Sequence, residues 1–193
     1  MEVINQLQRN ISLPNVLKRI ISLVPSQTEL LVDLGLEENL VGITKFCVHP
    51  QYLRKTKTIV GGTKQVKIEK IKALEPDIIL CNKEENTKEM VEELQEIAPV
   101  HVSDIVKIDD AFTLMHQYGE IFQKEALVGT MVNSVREKIV VLQEKLQDKP
   151  VKKVAYFIWK KPLMVAGKET FIDELLKLNK FEKVFKESRY TET

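Results

Sequence analysis

Between Pro99 and Pro150 the chain contains no proline, so no missing N–H and no ring clash interrupts a helix there. Inside that stretch, from Asp109 to Gln147, Val128, Met131, Val135, Ile139, Leu142 and Leu146 recur at steps of three and four. That spacing draws one apolar stripe along a helix, with Arg136, Glu137, Lys138, Glu144 and Lys145 mostly on the other faces. Gly129 sits within the pattern and costs about 1 kcal/mol relative to alanine, so a close packing contact is expected there. At about 1.5 Å per residue, residues 124–147 run roughly 35 Å, the width of a small domain. The sequence before this helix reads as a complete α/β unit and the sequence after it as the start of another. The expected organisation is therefore a lobe over residues 1–107, a helical linker over 108–149 acting as a strut, and the start of a second, truncated lobe over 150–193.

A chain of 193 residues holds about one domain and part of a second at roughly 150 residues each. Its 44% hydrophobic content supplies a core, and its 30% charged content a polar surface. A formal net charge of +1 argues against nucleic acid or an anionic membrane as partner. No apolar run approaches the roughly 20 residues that span a bilayer. The opening Met-Glu-Val-Ile-Asn-Gln lacks a basic region, an apolar core and a small-residue cleavage site, so as written the chain is expected to remain in the cytoplasm. Cys47 and Cys81 are too few for a disulfide framework and are expected as reduced, partly buried thiols.

In chain order, Asn10-Ile-Ser-Leu13 reads as a short edge strand, and Arg19 to Pro25 as a buried parallel strand ended by proline. Ser26-Gln-Thr-Glu29 follows, a capping box if Ser26 is the N-cap, with Thr28 as the rival cap. Leu30, Leu31, Val32 and Leu34 give a helix that Gly35 closes in a left-handed turn. Leu40 to Phe46 is the next strand; strand, turn, helix, strand opens a doubly wound lobe. Ile59-Val-Gly-Gly-Thr63, a short helix over Ile68 to Leu74, a strand over Asp77 to Asn82, a helix beginning near Glu84-Glu85, and a strand over Val100 to Asp104 continue it. Phe112, Met115, Tyr118 and Phe122 mark a separate helix. Beyond the strut, Lys153 to Trp159 reads as a strand, Lys160 to Lys168 as a loop, and Phe171 to Leu178 as a helix ended by Asn179.

Ligands of open α/β sheets sit outside the carboxyl ends of the strands. Those ends carry Ser26, Gln27 and Thr28; Phe46, Cys47 and His49; Asn82 to Glu85; and Trp159 to Pro162. No catalytic constellation emerges. His49, His101 and His116 lie on different elements without zinc-motif spacing. Cys47 with His49 is a weak candidate for a metal, either directly or through one held in a macrocycle. Gly61-Gly-Thr-Lys64 lacks a full phosphate-loop pattern and reads as a turn. Trp159, the single tryptophan, is either core or an aromatic wall for a flat ligand.

Taken together, Arg19-Ile-Ile-Ser-Leu-Val-Pro-Ser-Gln-Thr-Glu29, Val60-Gly-Gly-Thr63, Ile68-Glu-Lys-Ile71 with Glu75-Pro-Asp77, Ala166-Gly-Lys-Glu-Thr170 and Val184-Phe-Lys-Glu-Ser-Arg189 resemble the helical-backbone (class III) substrate-binding proteins of ABC importers. This class binds vitamin B12, haem and ferric siderophores, and the cobalamin-binding subgroup is the most similar. The resemblance implies an α/β fold of two Rossmann-like lobes joined by the backbone helix, with ligand held in the cleft between them. It places ligand contacts at Ser26, Gln27, Thr28, Phe46, Gly61, Gly62 and Thr63, and at Trp159, Lys160 and Pro162. It makes Glu69 a permease-docking residue, its charge steering and orienting the encounter.

The absence of the histidine and carboxylate set of free-metal binders points to a chelated or macrocyclic ligand. The function expected is capture of a corrinoid (cobalamin) or similar chelate, with haem or ferric siderophore as the alternative, by a monomeric, non-enzymatic protein without a cofactor. Its partners would be that chelate and an inner-membrane ABC permease, and its location the periplasm or cell envelope. Two rival readings follow from the residues: a cytosolic enzyme or cofactor-handling protein using Cys47, His49 and Glu85, and a structural interaction module.

Overall fold

The computed structural model describes residues 1–192. It begins with an antiparallel pair, β1 (Glu2–Ile4) and β2 (Asn10–Ser12), in which Val3 faces Ile11. The strand expected at Asn10 thus belongs to a hairpin of its own. The buried Asn5 side chain shapes its turn, accepting from the amides of Leu7 and Arg9 at 2.9 and 3.1 Å.

Next come β3 (Ile20–Ser22), α1 (Pro25–Asp33), β4 (Leu40–Thr44), α2 (Leu53–Thr56), β5 (Thr58–Gly61), α3 (Ile68–Ala73), β6 (Ile78–Asn82), α4 (Lys88–Gln95) and β7 (Val100–Ser103). The five strands form one parallel sheet in the order β5-β4-β3-β6-β7. Ile20, Ile21, Ile43, Ile78, Ile79 and Leu80 are wholly buried, as a parallel sheet covered on both faces requires. The chain builds outward from β3 to β5 and then resumes on the other side of β3 with β6. The reversal between β3 and β6 is the topological switch point.

Local signals set the helix ends. Pro25, not Ser26, starts α1, so Ser26 lies inside the first turn and the N-cap is Val24, with no side-chain cap. Proline suits this place because its fixed φ is helical and its missing N–H would be unpaired anyway. Gly35 does take the left-handed conformation (φ 73°), and the amides of Gly35 and Leu36 return to the carbonyls of Val32 and Leu31, a Schellman closure. Helix α4 starts later than Glu84-Glu85. Thr87 caps it, accepting from the Met90 amide at 3.2 Å, and the two glutamates lie in the preceding turn.

The proline-free stretch is two helices, α5 (Ile108–Phe122) and α6 (Glu125–Leu146). Gln123 between them has φ 57°, a left-handed residue that ends α5 without a proline. The close contact expected at Gly129 is absent, since nothing lies within 4 Å of its Cβ position. It occurs instead at Gly119, whose Cβ position is 3.3 Å from the Glu125 Cα and the Val128 side chain. Of the expected stripe on α6, Val128 is buried, Met131, Ile139, Leu142 and Leu146 are half-buried and Val135 is exposed, and Val132, outside the stripe, is buried as well.

Two compact units result, residues 1–104 with 120–124, and residues 105–119 with the chain from 125 onward. In the second, β8 (Lys152–Val154), β9 (Phe157–Lys160), β10 (Leu163–Ala166), α7 (Phe171–Leu178), β11 (Phe181–Lys183) and β12 (Tyr190–Glu192) follow α6. Strand β8 pairs in parallel with β11, and β10 lies antiparallel between β9 and β12. The single strand expected over Lys153 to Trp159 is therefore two strands in two sheets, and the loop expected over Lys160 to Lys168 contains β10. Lys160-Lys-Pro162 turns the chain back on itself there, so β10 pairs with β9 as a hairpin. Helix α7 is capped by Thr170 and ended by Asn179.

The two helical glycines separate propensity from packing. Gly129→Ala should raise stability by about 0.5–1 kcal/mol, and Gly119→Ala should lower it because backbone blocks the added carbon. Urea denaturation reads both; equal effects would contradict this packing.

Candidate functional site

At the carboxyl end of the parallel sheet the polar side chains bond to one another. The Gln27 amide, from α1, donates to Ser103 Oγ at 2.6 Å and to the Cys81 carbonyl at 3.4 Å. Asn82 Nδ2 donates to the same Ser103 oxygen at 3.0 Å, and Ser103 Oγ donates to the Cys81 carbonyl at 3.2 Å. Thr28 Oγ1 lies 2.8 Å from Ser22 Oγ, 3.0 Å from the Val24 carbonyl and 3.1 Å from Cys47 Sγ. These residues surround the switch point, and each buried group finds a partner. An unpaired one would cost about 1–3 kcal/mol.

Gln27 and Thr28 are therefore 2% and 0% exposed, their side chains committed to the interior, and only Ser26 of that trio is open to solvent. Phe46, just past β4, is 50% exposed. Lys45 Nζ sits 5.0 Å from its ring centroid, and its edge lies 3.3 Å from the Cβ position of Gly62. The structure thus brings Phe46 and the glycine loop together. Gly61 has φ 142°, and a Cβ there would meet the Gln65 carbonyl at 2.6 Å, so only glycine fits. The loop closes through the Gly62 amide bonded to the Gln65 carbonyl at 2.7 Å. Thr63 is nearly buried, and its carbonyl accepts from Asn86 Nδ2 at 2.8 Å.

Cys47 and His49 do not form a metal site. Cys47 is buried between the hydroxyls of Thr28 and Thr44, at 3.1 and 3.3 Å, while His49 is exposed. No group of three or more His, Cys, Asp or Glu side chains gathers as metal ligands among the described residues. Burial pushes the Cys81 thiol well above its ordinary value, which suppresses the thiolate and its reactivity. Glu69 projects from α3 with Lys72 3.3 Å away, an exposed pair worth little to stability.

In the second unit Trp159 is 62% exposed, so it is not a core residue. Its indole N–H donates to the Lys161 carbonyl at 2.7 Å, holding the ring over its own turn beside the exposed Lys160 and Pro162. Below α7, Asp173 accepts from Lys183 and Lys177, each at 2.9 Å, with Lys183 and Asp173 both buried. Burial alone would raise the Asp173 carboxyl, but the two ammonium groups outweigh it and hold the value below the usual aspartate range.

Sequence reasoning missed Asn86 and Ser103 as parts of the site's frame. For Ser103 the available signal was a polar residue ending the strand Val-His-Val-Ser103, as Asn82 ends Ile-Ile-Leu-Cys-Asn82, whereas Asn86 lies in the turn beyond and carries no such signal.

The periplasmic binding protein family profile matches residues 20–192, and the chain belongs to that family. It is 28% identical to an uncharacterized ABC transporter substrate-binding lipoprotein of Bacillus subtilis, across 82% of this chain and 52% of that protein. It is 25% identical to a vitamin B12-binding protein of Yersinia pestis, across 89% of this chain and 61% of that protein. The chain thus spans about half to three-fifths of these relatives.

The fold matches a periplasmic vitamin B12-binding protein of Vibrio cholerae with a TM-score of 0.78 at 22% identity, covering 92% of this chain and 70% of that one. It matches a periplasmic heme-binding protein of Pseudomonas aeruginosa with a TM-score of 0.84 at 22% identity, covering 92% and 66%. Both support the expected α/β fold of two-lobed binding proteins. The cytoplasmic expectation finds no support, the family being periplasmic and the Bacillus relative a lipoprotein. No helix among the described residues is long and apolar enough to cross a membrane.

Two outcomes follow from this geometry. Ellman's reagent should find no fast-reacting thiol in the folded protein and both cysteines in guanidinium; a reactive Cys47 in the folded state would contradict its burial. A carboxyl held low in the folded state stabilises fully above its unfolded value near ~3.9, and that stabilisation is lost as pH falls through the folded value. Asp173→Ala, which leaves the buried Lys183 ammonium its bond to the Gly167 carbonyl but no counter-charge, should cost about 3 kcal/mol at pH 7. In urea titrations its deficit should shrink below about pH 4 as the wild-type carboxyl protonates.

Proposed function

We propose that this chain is the solute-capturing part of an ABC importer whose ligand is a corrinoid (cobalamin) or similar metal chelate, bound and released without chemical turnover. The observation that carries the reading is the rim at the carboxyl end of the parallel sheet. A half-exposed Phe46 lies against Gly62, above polar side chains that are all bonded inward. Such a surface offers an aromatic face, backbone groups and the Lys45 ammonium beside the ring. That suits a large, flat, partly apolar ligand, which an aromatic ring can stack against without charge.

The family membership and the vitamin B12-binding relative of Yersinia support the ligand class. The heme-binding neighbour of Pseudomonas favours haem as the second ligand to try. Ser26, Phe46, Gly61, Gly62 and Thr63 are the proposed ligand residues of the first unit, with Gln27 and Thr28 acting through the frame beneath. Trp159, Lys160 and Pro162 are those of the second. Glu69, exposed on α3, is the proposed contact to the permease, and the cell envelope the proposed location.

Isothermal titration with cyanocobalamin and with haemin tests the reading. Wild-type protein should bind one of them one-to-one, and Phe46→Ala should weaken binding at least tenfold, about 1.4 kcal/mol. Binding of neither would overturn the ligand class, and unchanged affinity in Phe46→Ala would overturn the site.

A further inference from the structure

Resting on that reading, we infer that Asn86 is a positioning residue for the candidate ligand loop, setting the conformation of residues 62–65 from beneath without touching ligand. Asn86 is 4% exposed and sits in the turn between β6 and α4. Its two amide atoms face opposite ways. Nδ2 donates to the Thr63 carbonyl at 2.8 Å, and Oδ1 accepts from the Asn82 amide at 2.8 Å. A single planar side chain thus ties the tip of the glycine loop to the last residue of a core strand.

Five further contacts make this a frame. Asn82 Oδ1 accepts from the amides of Glu84 and Glu85 at 2.9 and 3.2 Å, which fixes the turn that carries Asn86. Asn82 Nδ2 bonds to Ser103, and through Ser103 to Gln27 at the switch point. Lys64 Nζ donates to the Glu84 carbonyl, a second tie between the same loop and the same turn. The loop is also held at its base, where the Lys45 amide donates to the Gly61 carbonyl at 2.8 Å and Gly61 bridges to Val66. Its own closure is the Gly62 amide to the Gln65 carbonyl, with the Lys67 amide to the Val60 carbonyl at its base.

Phe46 packs against Gly62, so a displaced loop also displaces the aromatic face. Only an amide satisfies both partners at this position. A carboxylate keeps the acceptor for Asn82 but loses the donor and repels the Thr63 carbonyl.

Hydrogen exchange of the unliganded chain, read on the peptide covering residues 61–67, tests the inference without any ligand. Asn86→Ala and Asn86→Asp should each speed exchange of that peptide at least fivefold, leaving the peptide over α1 unchanged. Asn86→Asp separates the tie to the loop from the tie to the turn, and provides a second variant if alanine fails to fold. Unchanged exchange at 61–67 in either folded variant overturns the inference; a merely structural role would lower the urea midpoint and leave loop exchange alone.

Titration of the same variants with cyanocobalamin and haemin then reads the consequence for binding. Where wild type binds, affinity should fall about three- to tenfold with Asn86→Ala, and a full-affinity variant with a loosened loop would also overturn the inference. If wild type binds neither, the ligand class fails while the exchange result still decides what Asn86 does.

Discussion

Ser103 Oγ takes hydrogen bonds from both Gln27 and Asn82 and returns one to the Cys81 carbonyl. The functional end of the first unit depends on that junction. A parallel sheet buried on both faces leaves polar groups at its strand ends where solvent is scarce, and each must find a partner. Here three elements meet at one hydroxyl: the helix after β3, the end of β6 and the end of β7. The same Asn82 that reaches Ser103 also organises the next turn, and that turn carries Asn86 to the glycine loop. Core, switch point and rim are thus one connected set of hydrogen bonds.

This arrangement turns inward two side chains that the resemblance places against a ligand. Gln27 and Thr28 follow β3, where the resemblance places ligand contacts, yet both side chains are buried. Phe46 is different: it sits past the end of β4 with half its surface open, and Gly62 lacks a side chain where the ring edge passes. The Phe46 face and the glycine backbone therefore lie side by side, with Lys45 Nζ 5.0 Å from the ring centroid.

Much of the first unit was legible because its signals are local. Apolar runs ended by proline or polar residues gave β3, β4 and β6, and Gly35 announced its own turn. The helix start was misread because Ser-x-x-Glu matches a capping box, while Pro25, one residue earlier, already fixed the first helical residue. Gly129 misled for a related reason. A helical glycine signals a close contact only when something approaches, and the approach occurs at Gly119, where α6 folds back after Gln123. In the second unit the β9–β10 hairpin was hidden because Lys160-Lys-Pro162 reads as the start of a loop. The tie from Asn86 to Thr63 joins residues 23 apart, and no local pattern encodes it. The resemblance to importer binding proteins rests on several scattered motifs rather than on one run of residues.

The central claim is that the carboxyl-end rim of the first unit is a ligand surface. Amide chemical-shift mapping of the isotope-labelled chain titrated with cyanocobalamin, and separately with haemin, tests it most directly. Saturable shifts confined in the first unit to residues 26–28, 46–48 and 61–65 are the predicted result. Shifts that saturate elsewhere on that unit, with those amides unmoved, would contradict it.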